Sequence, residues 1–166
     1  MLCLGSAAGG YAVVLVAIGE RMNTRTRRRA LWESTSSRLV PALHALLSAG
    51  FVEHDGCVFL AARSHPLPPD GPLDATGREA FVNHVHIDDQ LAQGGRRDVA
   101  RQGWLYAHAL VGELGRVFPE AAFEVVLAIG DSATVRFYRR RAHEPPWISA
   151  DLESYEREAV LVLDVG

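Results

Sequence analysis

Two stretches carry residue types that could do chemistry. In "VVLAIGDSATVRF", residues 125–137, an apolar segment runs into Gly130-Asp131-Ser132. A serine held at a sharp turn is a position from which an activated hydroxyl can attack an acyl carbon. "NHVHIDD" spaces His84, His86 and Asp88 so that on a strand all three project from one face. Two imidazoles and a carboxylate are a ligand set for zinc or iron.

Neither constellation is complete on its own. The serine segment resembles the first block of the GDS-type esterases, and that resemblance implies an Asp-x-x-His pair near the carboxyl end to supply the base. After Ser132 the sole histidine is His143, and arginine stands three residues before it. The same letters describe a hairpin: Phe123, Val125, Leu127 and Ile129 face one way, a Gly-Asp turn follows, and Ala133, Val135 and Phe137 return. Ser132 therefore reads as a turn residue. For the histidines, a third ligand would have to come from His54, His65 or His108. The alternative is a polar outer face opposite Asn83, Val85 and Ile87, and the expectation is no bound metal. His44 and His108, on helices, read as surface or internally satisfied side chains.

Composition narrows the remaining classes. With 166 residues, 48% hydrophobic and 22% charged, the chain has the make-up of one folded domain with a buried core. A net charge of −3 gives no global attraction to nucleic acid or an anionic membrane, and all 17 basic residues are arginine. Arg25, Arg27, Arg28 and Arg29 read as a solvated run. "LVPALHALLSAGFVEHDGCVFLA" has the outline of a recognition helix and wing, but lacks the basic and amide side chains that read base edges. No glycine-rich phosphate loop follows a strand. Cys3 and Cys57 make no disulfide framework, which favours a reducing cytoplasm.

The elements that must position these residues follow from periodicity and turn chemistry. "YAVVLVAIG" is too short to span a membrane and reads as a strand. Met22 is an alternative start, and residues 1–29 read as a flexible or misannotated extension. Residues 36–50 read as a helix capped by Ser36 or Ser37, with Pro41 in its first turn and Gly50 at its end. Asp55-Gly56 is a hairpin turn. Residues 63–79, with four prolines, read as a long loop, and "AFVNHVHID" as a strand. Residues 94–118 form the longest helix, with Val99, Tyr106, Leu110, Leu114 and Val117 in its stripe. A short acidic helix and a last strand, "AVLVLDVG", close the order. The expectation is a single α+β domain spanning 1–166, an antiparallel or mixed sheet with helices packed on one face.

What remains for such a chain is binding. "RRRAHEPPWISADLESYE" combines Arg139, Arg140 and Arg141 with a stiff Pro145-Pro146 and Trp147, residue types enriched at interface hot spots. Trp147 either anchors an interface or plugs the edge of the core. "LVPALHALLSAGFVEHDG" and "PPWISADLESYEREAVLVLDVG" resemble segments of the small immunity proteins of actinobacterial toxin systems, of the tuberculosis necrotizing toxin immunity type. That resemblance implies a cytoplasmic, non-enzymatic protein without a cofactor, which occludes the active site of an NAD-degrading toxin domain. Partner contacts are then expected from the proline-bearing loops, through Asp70, Asp74, Glu144 and Trp147, with Arg139, Arg140 and Arg141 at the rim. A secretion chaperone or adaptor, and a metal-dependent enzyme built on His84 and His86, are the rivals. Ser132→Ala is expected to leave every measurable activity intact and to change stability by no more than about 0.5 kcal/mol. Denaturant melts and an ester-hydrolysis assay of the purified variant check it.

Overall fold

Residues 20–29, 38–63 and 73–166 are described by the structure, a computed structural model. In chain order they form β1 (Glu20–Met22), α1 (Thr24–Arg29), α2 (Pro41–Ser48), β2 (Phe51–His54), β3 (Cys57–Leu60), α3 (Ala75–Val82), β4 (Val85–His86), α4 (Arg96–Val117), β5 (Phe123–Ile129), β6 (Ala133–Arg139) and β7 (Ala159–Val165). Five strands make one sheet in the order β1-β7-β5-β6-β4, every neighbouring pair antiparallel, and β2-β3 is a separate hairpin.

Local chemistry accounts for several of these elements. Asp55 and Gly56 both adopt positive φ, 50° and 72°, the conformation a two-residue turn needs to match the twist of β2 and β3. Gly50, at φ 75°, stops α2 by going left-handed. In α4 the buried residues Ala100, Gly103, Tyr106, Ala107, Leu110, Val111 and Leu114 recur at helical spacing, so one stripe faces the sheet. Gly103 marks the closest approach: a Cβ there would lie 2.9 Å from Leu127 Cδ1.

The sheet is covered on both sides. Against one face, Phe123, Val125, Leu127, Val135 and Phe137 pack beneath α4 together with Leu43 and Leu47 of α2 and Val58 and Leu60 of β3. Helices on one face were expected, and α4 and α2 supply them. On the opposite face Val126, Tyr138, Val160 and Val162 are covered by Ala80 of α3 and by Ile148 and Leu152. A polar row crosses this second face at one end: Arg21 of β1 reaches over β7, 3.4 Å from Asp164, to Glu124 of β5 at 2.6 Å. Glu124 also accepts from the Tyr138 hydroxyl on β6. Residues 20–29 are thus part of the fold; 1–19 lie outside the described residues.

The two sheets are joined by side chains rather than by a strand. β4 ends early, leaving the outward backbone groups of Phe137 and Arg139 on β6 without a ladder partner, and β3 likewise offers Val58 and Leu60. From α3, Glu79 accepts from Val58 N–H and Arg139 N–H, each at 2.7 Å. Asn83 accepts from Leu60 N–H at 3.0 Å and donates to the carbonyls of Val58 and Phe137 at 2.9 and 3.3 Å. Both side chains are fully buried. Arg141 closes on Glu79 with two bonds of 2.9 Å and reaches the Gly56 carbonyl at 2.9 Å.

Four expectations change. Residues 80–82, read as the start of a strand, belong to α3, because Thr76, Glu79, Ala80 and Asn83 share one helical face inside the protein. The loop expected over 63–79 gives way to that helix from Ala75, capped by Asp74, which accepts from Gly77 N–H at 2.7 Å. The short acidic helix is a single 3-10 turn, Leu152–Ser154. At α2 the residue before the helix is Val40, with no side-chain cap; Ser36 and Ser37 lie outside the described residues, as does "YAVVLVAIG".

Glu79→Ala is expected to cost about 3–5 kcal/mol, because it removes both carboxylate bonds to Arg141 and leaves two backbone N–H groups unpaired. Arg140→Ala, which removes an exposed pair 3.8 Å from Asp164, is expected to stay within about 0.5 kcal/mol. Urea melts of the two variants check the contrast.

Candidate functional site

The cover over the second face stops short of β4. Register places Val85 opposite Val135 and His86 opposite Thr134. Val85 and Val135 are buried in the core under α4, so the pleat turns His86 and Thr134 to the other side, and alternation along β6 adds Arg136. His84 completes the group: its ring centroid lies 4.4 Å from that of His86, with the planes inclined at 44°. All four are half-buried. Arg63, at the end of the 3-10 turn Ala61–Arg63, donates to the His84 carbonyl at 2.6 Å and fixes the backbone there.

Trp147 stands beside this group, with Arg136 Cζ 5.8 Å from its ring centroid, in range of a cation–π contact. Its loop is tied down on both sides. Glu144 accepts from Thr76 N–H at 2.7 Å, Ile148 is buried in the second-face core, and Ser149 N–H donates to the Tyr155 hydroxyl at 3.0 Å. Between these ties Trp147 remains 41% exposed, so it does not seal the core edge. Phe81, on the outward side of α3, is 61% exposed.

Electrostatics here are one-sided. Burial pushes His84 down to about 4, helped by the charges of Arg136, His86 and Arg63, and its Nε2 is buried without a hydrogen-bond partner. Burial also lowers Arg136, although Glu158, Tyr138 and Tyr155 work against it.

The residues expected to meet a partner are not gathered here. Asp74 and Glu144 do come together, but at the first turn of α3, where both carboxylates accept backbone N–H bonds; they are not free acids presented to a ligand. The Thr76 bonds and Arg141 hold Glu144 below the carboxylate range although burial opposes them. The arginine cluster divides: Arg141 turns inward to Glu79, Arg140 lies near Asp164, and Arg139 gives its backbone N–H to Glu79. Asp70 lies outside the described residues. Asp88 belongs to an exposed 3-10 turn, Asp88–Gln90, rather than to the strand. Among the described residues no group of three or more His, Cys, Asp or Glu is arranged to hold a metal. Ser132 sits in the turn, its carbonyl accepting from Gly130 N–H at 2.9 Å. His108 stacks on Trp104 at 3.9 Å.

Thr134 and Arg136 were missed from sequence. The available signal was a cation in the middle of an apolar hairpin, at positions alternating with Ala133, Val135 and Phe137.

Fold and site together define a single-domain α+β protein with a two-sided core and a basic, aromatic-flanked surface on one sheet edge. No described helix is long and apolar enough to cross a membrane. A family model matches residues 18–166, and the chain belongs to that family, the Uncharacterized protein PM0498 family. No curated protein and no solved structure matches the chain.

Because His84 is held at about 4 against an ordinary 6.5, the unfolded chain binds more protons than the folded one between those values. This contribution to stability is complete above about pH 6.5 and is lost as pH falls toward the folded value. His84→Gln is expected to melt with a shallower loss of Tm over that acid range than the wild type; calorimetry at a series of pH values checks it.

Proposed function

We propose that this chain works by binding and not by catalysis, as an immunity-type protein that neutralises a protein toxin by covering its working surface. The observation that carries this reading is the presentation of Trp147. A large aromatic is held out to solvent by a Pro145-Pro146 loop whose two flanks are fastened to α3 and to the second-face core. An aromatic whose conformational freedom is already restricted makes an efficient anchor, since little entropy is lost when it docks. The resemblance of the flanking segments to toxin immunity proteins supports the choice of partner.

The electrostatics revise the expected mode of contact. Beside Trp147 stands Arg136, a fixed cation, so this side of the anchor complements an acidic group on the partner rather than an anion-binding cleft. Asp74 and Glu144, expected as mimics of an anionic ligand, each accept a backbone N–H at the first turn of α3.

Capture of the partner from the native cell, co-expression with it and titration calorimetry of the purified pair test the proposal. Trp147→Ala is expected to weaken binding by more than about 2 kcal/mol, roughly thirtyfold, and to abolish protection while melting like the wild type. A folded Trp147→Ala that binds and protects as well as the wild type overturns the assignment.

A further inference from the structure

We propose that His84, His86, Thr134 and Arg136 form a binding site for a small oxyanion, the shared chemistry of a phosphate and a carboxylate. The site goes beyond the protein partner proposed above and needs no such partner to exist.

Three observations converge. First, the pleat and register bring an arginine, a hydroxyl and two imidazoles, each half-buried, onto one corner of the second face, with Trp147 beside Arg136. These are the donor types that surround phosphate and carboxylate oxygens, and two of them form charge-assisted bonds. Second, His84 Nε2 is buried with no hydrogen-bond partner among the described residues. A polar atom in that condition is satisfied when a ligand oxygen reaches it. Third, the charged groups acting on His84 from every side are basic: Arg136 from β6, His86 from β4 and Arg63 from the turn after β3. Arg136 itself makes no ion pair among the described residues, although Glu158 contributes to its field.

The same arrangement argues against the metal that the His-x-His spacing suggested. A divalent cation between His84 and His86 would face two guanidinium groups and lacks a third protein ligand among the described residues. An anion meets the opposite situation. It relieves the mutual repulsion of the bases and favours a protonated His84, so binding takes up a proton and strengthens as pH falls.

The test is a titration of the full chain with inorganic phosphate and, separately, with acetate, followed through the imidazole signals of His84 and His86 by NMR. Saturable shifts of both rings with phosphate alone assign the site to phosphate, with acetate alone to carboxylate, and with both to oxyanions in general. Arg136→Gln is expected to weaken binding by about tenfold, the loss of one charge-assisted bond. Should that variant fail to fold, His86→Gln is read in the same way. Absence of a saturable shift with either anion overturns the proposal, as does an unchanged affinity in a folded variant. Because the probe is a small anion, failure here leaves the Trp147 binding measurement standing, and failure there leaves this one.

Discussion

The pairing of Glu79 with Arg141, inside a cage of backbone bonds, is the constraint on which the architecture turns. A helix rarely substitutes for a strand, yet α3 does so twice, completing the outer edge of β6 and the outer edge of β3 with the side chains of Glu79 and Asn83. Without that substitution the described hydrogen bonds between the β2-β3 hairpin and the sheet would shrink to the bridge Arg141 makes from the Gly56 carbonyl to the Arg139 carbonyl. The same loss would also leave several buried backbone groups unsatisfied, each costing about 1–3 kcal/mol. An ionised Glu79 is tolerable there because the Arg141 fork meets it with two bonds while two N–H groups fill its remaining lone pairs.

The candidate surface follows from the same economy of strands. β4 is two residues long, so it extends the sheet just far enough to bring His84 and His86 beside β6 and no further. The chain that covers much of the second face passes through Ile148 and Leu152, and His84 and His86 are left half-buried at its edge. Glu144 links the two regions: by accepting from Thr76 it fastens the Trp147 loop to α3, so the helix that joins the sheets also positions the exposed aromatic.

Much of the fold was legible because its signals are local. Asp55-Gly56 and Gly130-Asp131 specify turns within a few residues, and the stripe of α4 repeats over 22 residues, long enough for its period to be unmistakable. α3 was illegible for the opposite reason. Its inward face is Ala80 with three polar residues, Thr76, Glu79 and Asn83, whose burial makes sense once β3, β6 and Arg141 surround them. An apolar-period search therefore passes over it, although Asp74 three residues before Gly77 was a usable capping signal. At the site, Trp147 and the two histidines could be singled out by type. Their meeting with Arg136 depends on the β4–β6 register, which no local pattern encodes.

The position of β7 has a consequence for synthesis. Residues 159–165 form an interior strand, flanked by β1 and β5, and Glu20 lies opposite Leu163. During translation, at about 5–20 residues per second, the earliest described segment has nowhere to dock until the latest one has emerged. Arg21 waits with it, whereas Glu124 and Tyr138 face each other across β5 and β6 and can meet earlier. The sheet therefore closes after residues 159–165 have been made, and a chain without them lacks the strand that holds both halves of the sheet together.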